Sequence, residues 1–399
     1  MNLRAAWKAL WHVQTKASGV GPMLALQMTG QPLFMGRRYE DFAGEGYRKN
    51  VVVHRAINEI ARSAASVPWI LHERAGGERR RLTAHPLLAL LARPNPAMAR
   101  AEFLEAVIGY LQIAGNSYIE AVAPEPGRAP RELWPLRPDR MSVLPGPTGL
   151  VEGYLYRVGG KEKRWPCDPA SGRAPLLHLR TFNPVNDWYG LPPAEAAAFG
   201  IDQHNEAGKW NTALIQNGAR PSGAIVYEPG EGLGNLDDLQ FARIKSEIEE
   251  QYQGARNAGR PMLLEGGLKW QEMSLSPKDM DFLASKHSAA RDIALAFGVP
   301  PQLLGIPGDN TYSNYQEARL AFWEQTIVPL LGHIRDELNA WLAPMFGEGL
   351  ALGLDLDEVS ALAPRREARW RMLTRAVQFD VLTRDEARES LGLRSKSNG

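Results

Sequence analysis

The sequence predicts an α+β protein of two or three structural units, and three observations carry that reading. Apolar residues recur at helical spacing over much of the first 115 positions. Short β-prone runs fill a Pro- and Gly-rich stretch from 124 to 180. The second half is dominated by helical segments, one of them about thirty residues long. With 399 residues, 44% hydrophobic and 23% charged, such a chain buries a core without metals or disulfides.

The first predicted helix covers 51–67, where Val53, Ala56, Ile57, Ile60, Ala61 and Ala64 share a face and Val67–Pro68 ends it. Trp69–His72 reads as a strand, followed by a Gly76–Gly77 turn and the basic run Arg79–Arg81. A second helix runs from Pro86 to Pro94–Asn95–Pro96 and a third over 101–115. Ser117–Val122, Glu132–Leu136, Met141–Leu144, Tyr154–Val158 and Leu176–Leu179 are short strand candidates.

After Gly190–Leu191–Pro192–Pro193 the character changes. Residues 194–217 are Ala-rich and helical. Ser222–Tyr227 is a strand, and Leu236–Gln253 a helix with Asn235 as its cap and an apolar stripe of Phe241, Ile244, Ile248 and Tyr252. Pro261–Leu264 and Leu268–Met273 are strands around Gly266–Gly267, so 219–275 reads as a strand–helix–strand insertion between two helices. The second of these spans about 278–297 and stops at Gly298–Val299–Pro300–Pro301.

A Gly/Pro/Asn-rich loop, 305–313, leads to the longest helix, 314–343, on the order of 45 Å at ~1.5 Å per residue. Its Leu320, Trp323, Ile327, Leu331, Ile334, Leu338 and Trp341 are spaced to pack on another helix or subunit, and Pro329 should kink it. The tail from 365 is helical and arginine-rich. Thr383–Arg384–Asp385–Glu386 is a capping box that opens a last short helix.

Charge and cysteine usage narrow the function. The single Cys167 allows no intrachain disulfide and suits a reducing compartment. No run reaches the ~18–20 apolar residues of a membrane helix. The first 16 residues can form a short basic amphipathic helix, read here as a frayed terminal helix rather than an interfacial one. Residues 1–100 hold 15 Lys and Arg against 6 Asp and Glu, a formal +9, which leaves −8 for the rest of a chain whose net charge is +1. A DNA partner of such a chain slides rather than sticks, because many basic phosphate contacts would hold it tightly.

No catalytic residue, cofactor site or metal site is expected. There is no phosphate loop ending in Lys-Ser/Thr, no His-Glu-x-x-His, no paired Cys and no Gly-x-Ser-x-Gly. Gly230–Glu231–Gly232–Leu233–Gly234 lacks a following lysine and reads as a turn. His178 falls in a strand, and His204, His287 and His333 fall on separate helices, where core or surface roles suit them. Asp279 and Asp281 fit a helix start better than a metal pair. Cys167 has only Arg164 as a nearby cation and reads as an inert thiol.

Six segments, in order, carry a resemblance to the HK97-type family of phage portal proteins. They are Ala64–Ala65–Ser66–Val67–Pro68; His85–Pro86–Leu87–Leu88 with Leu91–Ala92–Arg93–Pro94–Asn95 and Ala114–Gly115–Asn116–Ser117–Tyr118–Ile119; Leu133–Trp134–Pro135–Leu136–Arg137–Pro138–Asp139–Arg140; Leu177–His178–Leu179–Arg180 with Tyr189–Gly190–Leu191–Pro192–Pro193; Asn217–Gly218–Ala219–Arg220–Pro221–Ser222–Gly223; and Ile293 through Gly305, with Thr311–Tyr312–Ser313–Asn314 and Thr326–Ile327–Val328–Pro329 after it. The similarity runs from about residue 50 to the C-terminus. Pro192 stands where the family usually has a serine.

The resemblance implies a ring, usually of twelve subunits, through which a separate motor drives DNA. It implies an unplaced arm at 1–50, a wing at 51–193, stem helices at 194–218 and 276–298, and a clip at 219–275. A tunnel loop at 299–313, a long helix returning to the wing at 314–364 and a crown at 365–399 complete the division. Gly305, Ile306, Pro307, Gly308, Asp309, Asn310, Thr311 and Tyr312 would line the channel; their mix of slim and polar residues would not trap phosphates. Lys278, Lys286 and Arg291 are the candidate contacts to the DNA backbone, with pairing to Asp279, Asp281 or Asp292 as their alternative. The implied partners are further copies of the chain, double-stranded DNA, the large terminase, a head–tail adaptor at the clip and the major capsid protein at the wing, with no membrane. The implied location is the portal vertex of a virion or phage-like particle; the Arg-, Ala- and Pro-rich composition suits a GC-rich bacterial host, which leaves both a phage and a gene transfer agent open. Another head–tail connector or capsid structural protein is the alternative.

Overall fold

The computed structural model describes residues 38–75, 78–125, 128–146, 150–168, 174–216, 223–227, 237–252, 268–272, 282–308 and 312–391. The chain divides into two units. The larger holds 34–205 and 284–399, and the smaller includes 206–283. The expected N-terminal helix, the cap Asn235, the strand Pro261–Leu264 and the pair Asp279 and Asp281 lie outside the described residues.

Asn50 starts the larger unit's central helix. Its Oδ1 accepts from the backbone N–H of Val52 (3.0 Å) and Val53 (3.1 Å), capping α1 (Val51–Ser66). A π-helical segment, Phe42–Arg48, precedes it. α1 buries the apolar stripe that the spacing predicts, extended by Val52 and Ala65, and four of the buried positions are alanines that let neighbouring elements approach closely.

In chain order there follow β1 (Trp69–Ala75), β2 (Glu78–Leu82), α2 (Pro86–Ala92), α3 (Arg100–Ala114), β3 (Asn116–Val122), β4 (Glu132–Leu136), β5 (Met141–Pro145), β6 (Val151–Val158), β7 (Lys161–Pro166) and β8 (Leu176–Arg180). A short turn of helix, Pro193–Ala196, leads into α4 (Ala198–Gln216). Then come β9 (Gly223–Tyr227), α5 (Asp238–Tyr252), β10 (Leu268–Glu272), α6 (Phe282–Ala296), α7 (Tyr312–Phe322), α8 (Val328–Trp341), β11 (Leu350–Leu354), α9 (Ala363–Gln378) and α10 (Arg384–Ser390).

The larger unit contains three antiparallel three-stranded sheets, in the orders β11-β1-β2, β4-β3-β8 and β5-β6-β7. Three of these strands escape the sequence reading. β2 and β7 are edge strands full of charge, so they lack the apolar alternation that marks a strand. Their charges are used across the ladder: Arg80 pairs with Glu73 of β1 at 2.6 Å, and Glu162 with Arg157 of β6 at 2.8 Å. β11 is short, and its partner β1 lies far away in sequence, with Trp69 opposite Leu354.

The long helical rod departs from expectation in one way and meets it in another. Between α7 and α8 the helix widens into a π segment, Trp323–Ile327, directly before Pro329. The disruption caused by a residue without an N–H thus takes the form of a π segment. The stripe Trp323, Ile327, Leu331, Ile334, Leu338 and Trp341 is buried in the same core as α1 and α3, with Leu320 half-buried at its start, so of the two partners its spacing suits, another helix or another subunit, it is the chain's own helices that it meets. A second cluster, with Tyr118, Met141, Val143, Tyr154, Trp165 and Leu176, fills the space around β5, β6 and β7.

In the smaller unit β9 and β10 pair antiparallel, Tyr227 opposite Leu268 and Gly223 opposite Glu272. α5 is capped by Asp237. The Asp237 carboxylate accepts from Gln240 N (2.6 Å) and the Gln240 side chain accepts from Asp237 N (3.1 Å), a reciprocal capping box. The predicted box at the C-terminus also forms, between Thr383 and Glu386.

Asn50 has a second task. Its amide Nδ2 donates to Asn205 Oδ1 (2.9 Å) and lies 3.2 Å from His204 Nδ1, while Asn205 Nδ2 donates to Glu45 O. The N-cap of α1 thereby fastens the first turns of α4. Asn50→Ala should destabilise the protein by about 2–4 kcal/mol, the sum of a lost cap and buried groups left unpaired. Asn50→Asp, which keeps the cap acceptor and loses the donor, should fall between. Chemical denaturation midpoints of the three proteins give the order.

Candidate functional site

α4 and α6 run antiparallel against each other. Gly200 makes this possible, since a Cβ there would stand 3.3 Å from Ala289 O and 3.4 Å from the Ile293 side chain, and Gln203 donates to Ser285 Oγ at 2.8 Å. At the end of α6 the chain reverses through Gly298, whose φ of 64° favours glycine. The reversal is held from α6 by Val299 N on Ala294 O (2.9 Å) and from the π segment by Thr326 Oγ1 donating to Gly298 O (2.6 Å). A 3-10 turn, Pro301–Leu304, ends at Gly305 in the left-handed region.

Beyond that turn the candidate channel residues divide. Gly305, Pro307 and Gly308 are exposed, whereas Ile306 is 6% exposed and packs in the main core. Ile306 is therefore an anchor of this segment and not a lining residue, a correction that follows from its apolar side chain beside Leu303. Tyr312 is the first residue of α7. Asp309, Asn310, Thr311 and Lys278 lie outside the described residues.

The two described cations differ in their surroundings. Arg291 Nη2 donates to Pro307 O at 2.6 Å, which ties α6 to the loop and replaces the carboxylate pairing considered from the sequence. Lys286 is half-buried, and its charge helps to lower the pKa of His204, after burial as the larger cause.

A second constellation was not singled out from the sequence as a unit. Gly115 and Gly190 meet backbone to backbone: a Cβ on Gly190 would lie 2.1 Å from Gly115 O. Asn116 Oδ1 accepts from Gly190 N (2.8 Å) and from His178 Nε2 (2.9 Å), which fixes the proton on that ring nitrogen. The His178 ring stacks on Tyr118 with centroids 4.3 Å apart. Burial, then the charge of Arg180, lowers its pKa to about 3. Asn186 Oδ1 accepts from Trp188 N and Tyr189 N, closing the turn that delivers Gly190. The Asn116 and His178 side chains of this junction are bonded and neutral, while the buried Ser117 and Tyr118 hydroxyls have no hydrogen-bond partner among the described residues.

Among the described residues no group of three or more His, Cys, Asp and Glu could hold a metal ion, and no helix is long and apolar enough to cross a membrane. Cys167 is half-buried, and burial raises its thiol pKa, away from the reactive thiolate.

A family model described as phage portal protein matches residues 51–392. The chain belongs to the phage portal protein family. It is 32% identical to the portal protein of Escherichia phage T5 over 363 residues, covering 88% of this chain and 82% of that protein. It is 25% identical to the portal protein of Enterobacteria phage HK97 over 300 residues, covering 73% and 66%. Among solved structures, a chain from the neck of a native gene transfer agent particle computed with C12 symmetry is 45% identical. It superposes with a TM-score of 0.68, covering 92% of this chain and 96% of that one. The HK97-type resemblance and the α+β portal fold read from the sequence stand.

With the portal family established, its motifs acquire physical roles. Ala114–Gly115–Asn116–Ser117–Tyr118 and Tyr189–Gly190–Leu191–Pro192–Pro193 are the two sides of one junction, and Pro192 precedes the helical turn Pro193–Ala196 without disturbing it. Gly298–Val299–Pro300–Pro301 is the reversal after α6. These signatures hold the backbone in shape at the junction and at the reversal.

Because folding lowers the pKa of His178 below its unfolded value near 6.5, its contribution is full above that pH and is lost as pH falls toward about 3. His178→Gln should lower the melting temperature at pH 7, and the gap to wild type should narrow steadily below pH 6.5. A gap that stays constant down to pH 4 would show that protonation of this ring does not oppose the fold.

Proposed function

We propose that this chain is the subunit of a portal ring at one vertex of a phage-like particle, forming the passage by which DNA is packaged and leaves. The observation that carries this reading is the portal-family match over 51–392, together with 45% identity to a chain in a C12 neck structure. That identity is higher than to the two phage portals, which favours a gene-transfer-agent-like particle.

Within the ring we assign 51–193 to the wing, 194–218 and 276–298 to the stem, 219–275 to the clip, 299–313 to the tunnel loop, 314–364 to the long helix and its return, and 365–399 to the crown, with 1–50 an arm. The antiparallel helices α4 and α6, joined through a strand–helix–strand segment, support the stem and clip assignment. Exposed Pro307 and Gly308, carried on a segment anchored by Ile306 and Arg291, support a narrow loop that can face a passage. Portal proteins are structural. In this reading the chain performs no catalysis and uses no cofactor, DNA is moved by a separate terminase motor, an adaptor docks at the clip, and the capsid protein contacts the wing.

Purified protein viewed by negative-stain microscopy should show rings with a central hole. Monomers at every concentration would sink the portal reading. Deleting Asp309–Thr311, which spares the Ile306 anchor, should leave rings intact and reduce DNA packaged per particle. Loss of rings instead would make the loop an assembly element. Ile306→Asp should lower the yield of folded protein, as burying an unpaired charge does.

A further inference from the structure

Portal-family membership leaves one feature of the surface without a task. α9 carries Arg365, Arg366, Arg369, Arg371 and Arg375 against a single carboxylate, Glu367. At 3.6 residues per turn these arginines fall on different sides. Leu373, the helix's buried side chain, marks the side turned to the protein. Arg366 and Arg369 lie near it, and each is occupied by a backbone carbonyl, of Asp357 and Ser390. Arg365 pairs with Glu324 at 2.7 Å. Arg371 and Arg375 point the other way, one turn apart and exposed, and among the described residues neither has an ion-pair partner.

We propose that the outward side of α9 binds the phosphate backbone of double-stranded DNA through Arg371 and Arg375. The proposal rests on the portal reading above and adds to it a contact outside the channel loop. Charge complementarity favours it: this short helix concentrates cations in a chain of net charge only +1. All five are arginine, whose planar fork stays charged and matches phosphate oxygens. No existing ion pair has to break for these two to engage. The described channel cations offer less, since Arg291 is bonded to Pro307 O and Lys286 is half-buried. A ring repeats the pair in every subunit, so individually weak contacts add without base recognition. Exposed Trp370 and Met372 flank the arginines and give the site an apolar shoulder against the sugar edge.

The test uses rings of the full chain and a fluorescent duplex of roughly 30 base pairs, titrated by anisotropy at about 50 to 200 mM salt. R371A/R375A should bind at least about fivefold more weakly at low salt, with the slope of log K against log salt shallower by roughly two. R243A/K245A, which removes the same charge from the exposed surface of α5, should bind like wild type. Unchanged affinity and slope in R371A/R375A would overturn the proposal, as would an equal loss in R243A/K245A. Loss of rings in R371A/R375A would also overturn it, because the arginines would then be holding an acidic surface of a neighbouring copy. Wild-type protein that forms no rings fails the portal reading itself, whereas intact rings with undiminished DNA binding fail only this one.

Discussion

The point on which the larger unit turns is the contact between two glycine backbones. Gly115 ends α3 with a left-handed φ of 68°, and Gly190 ends the loop after β8; a side chain on either would collide with the other's carbonyl. Around them Asn116, His178, Thr181 and Asn186 spend their polar atoms on backbone or on each other. The contact decides where the chain leaves the β-rich part and in which direction the helical part begins. It explains why two motifs more than seventy residues apart both centre on glycine.

From that junction the structure is carried by helices with small faces. α1 packs on α3 and α8 and buries four alanines, Gly200 lets α6 press on α4, and Asn50 links the cap of one helix to the side of another. Each device brings backbones close and leaves little void, which is how a core of modest side chains reaches native density. The same economy positions the loop after α6. A left-handed glycine, a threonine hydroxyl, a buried isoleucine and one arginine hold it on four sides, while Gly305, Pro307 and Gly308 stay exposed. A ring component benefits from such fixing, since any slack in one subunit is repeated around the symmetry axis.

Much of the fold was legible in the sequence because helices and half-buried strands leave periodic traces. α1, α3, α4, α6 and the strands β3, β4, β5, β6, β8, β9 and β10 lie where apolar spacing put them, within a few residues. β2 and β7 were not legible, because an edge strand facing water on its charged residues has no apolar period. Asp237 caps α5 because Gln240 returns its bond, a reciprocity that residue type alone does not reveal. The candidate site was legible as a segment and not as roles: Gly305 to Gly308 lie outside regular helix and strand as expected, but Ile306 turns inward and Arg291 is bonded to the loop.

The sequence by itself determined the fold class, the order of the elements and the family, since these rest on local periodicity and on short motifs read in order. Only the tertiary structure decided what each motif is for. Burial, the partner of each cation and the close approach of distant glycines depend on residues that share no neighbourhood in the chain. For that reason the stripe of the long helix, whose spacing suited another helix or another subunit equally, was assigned to the protein's own core only by the tertiary structure.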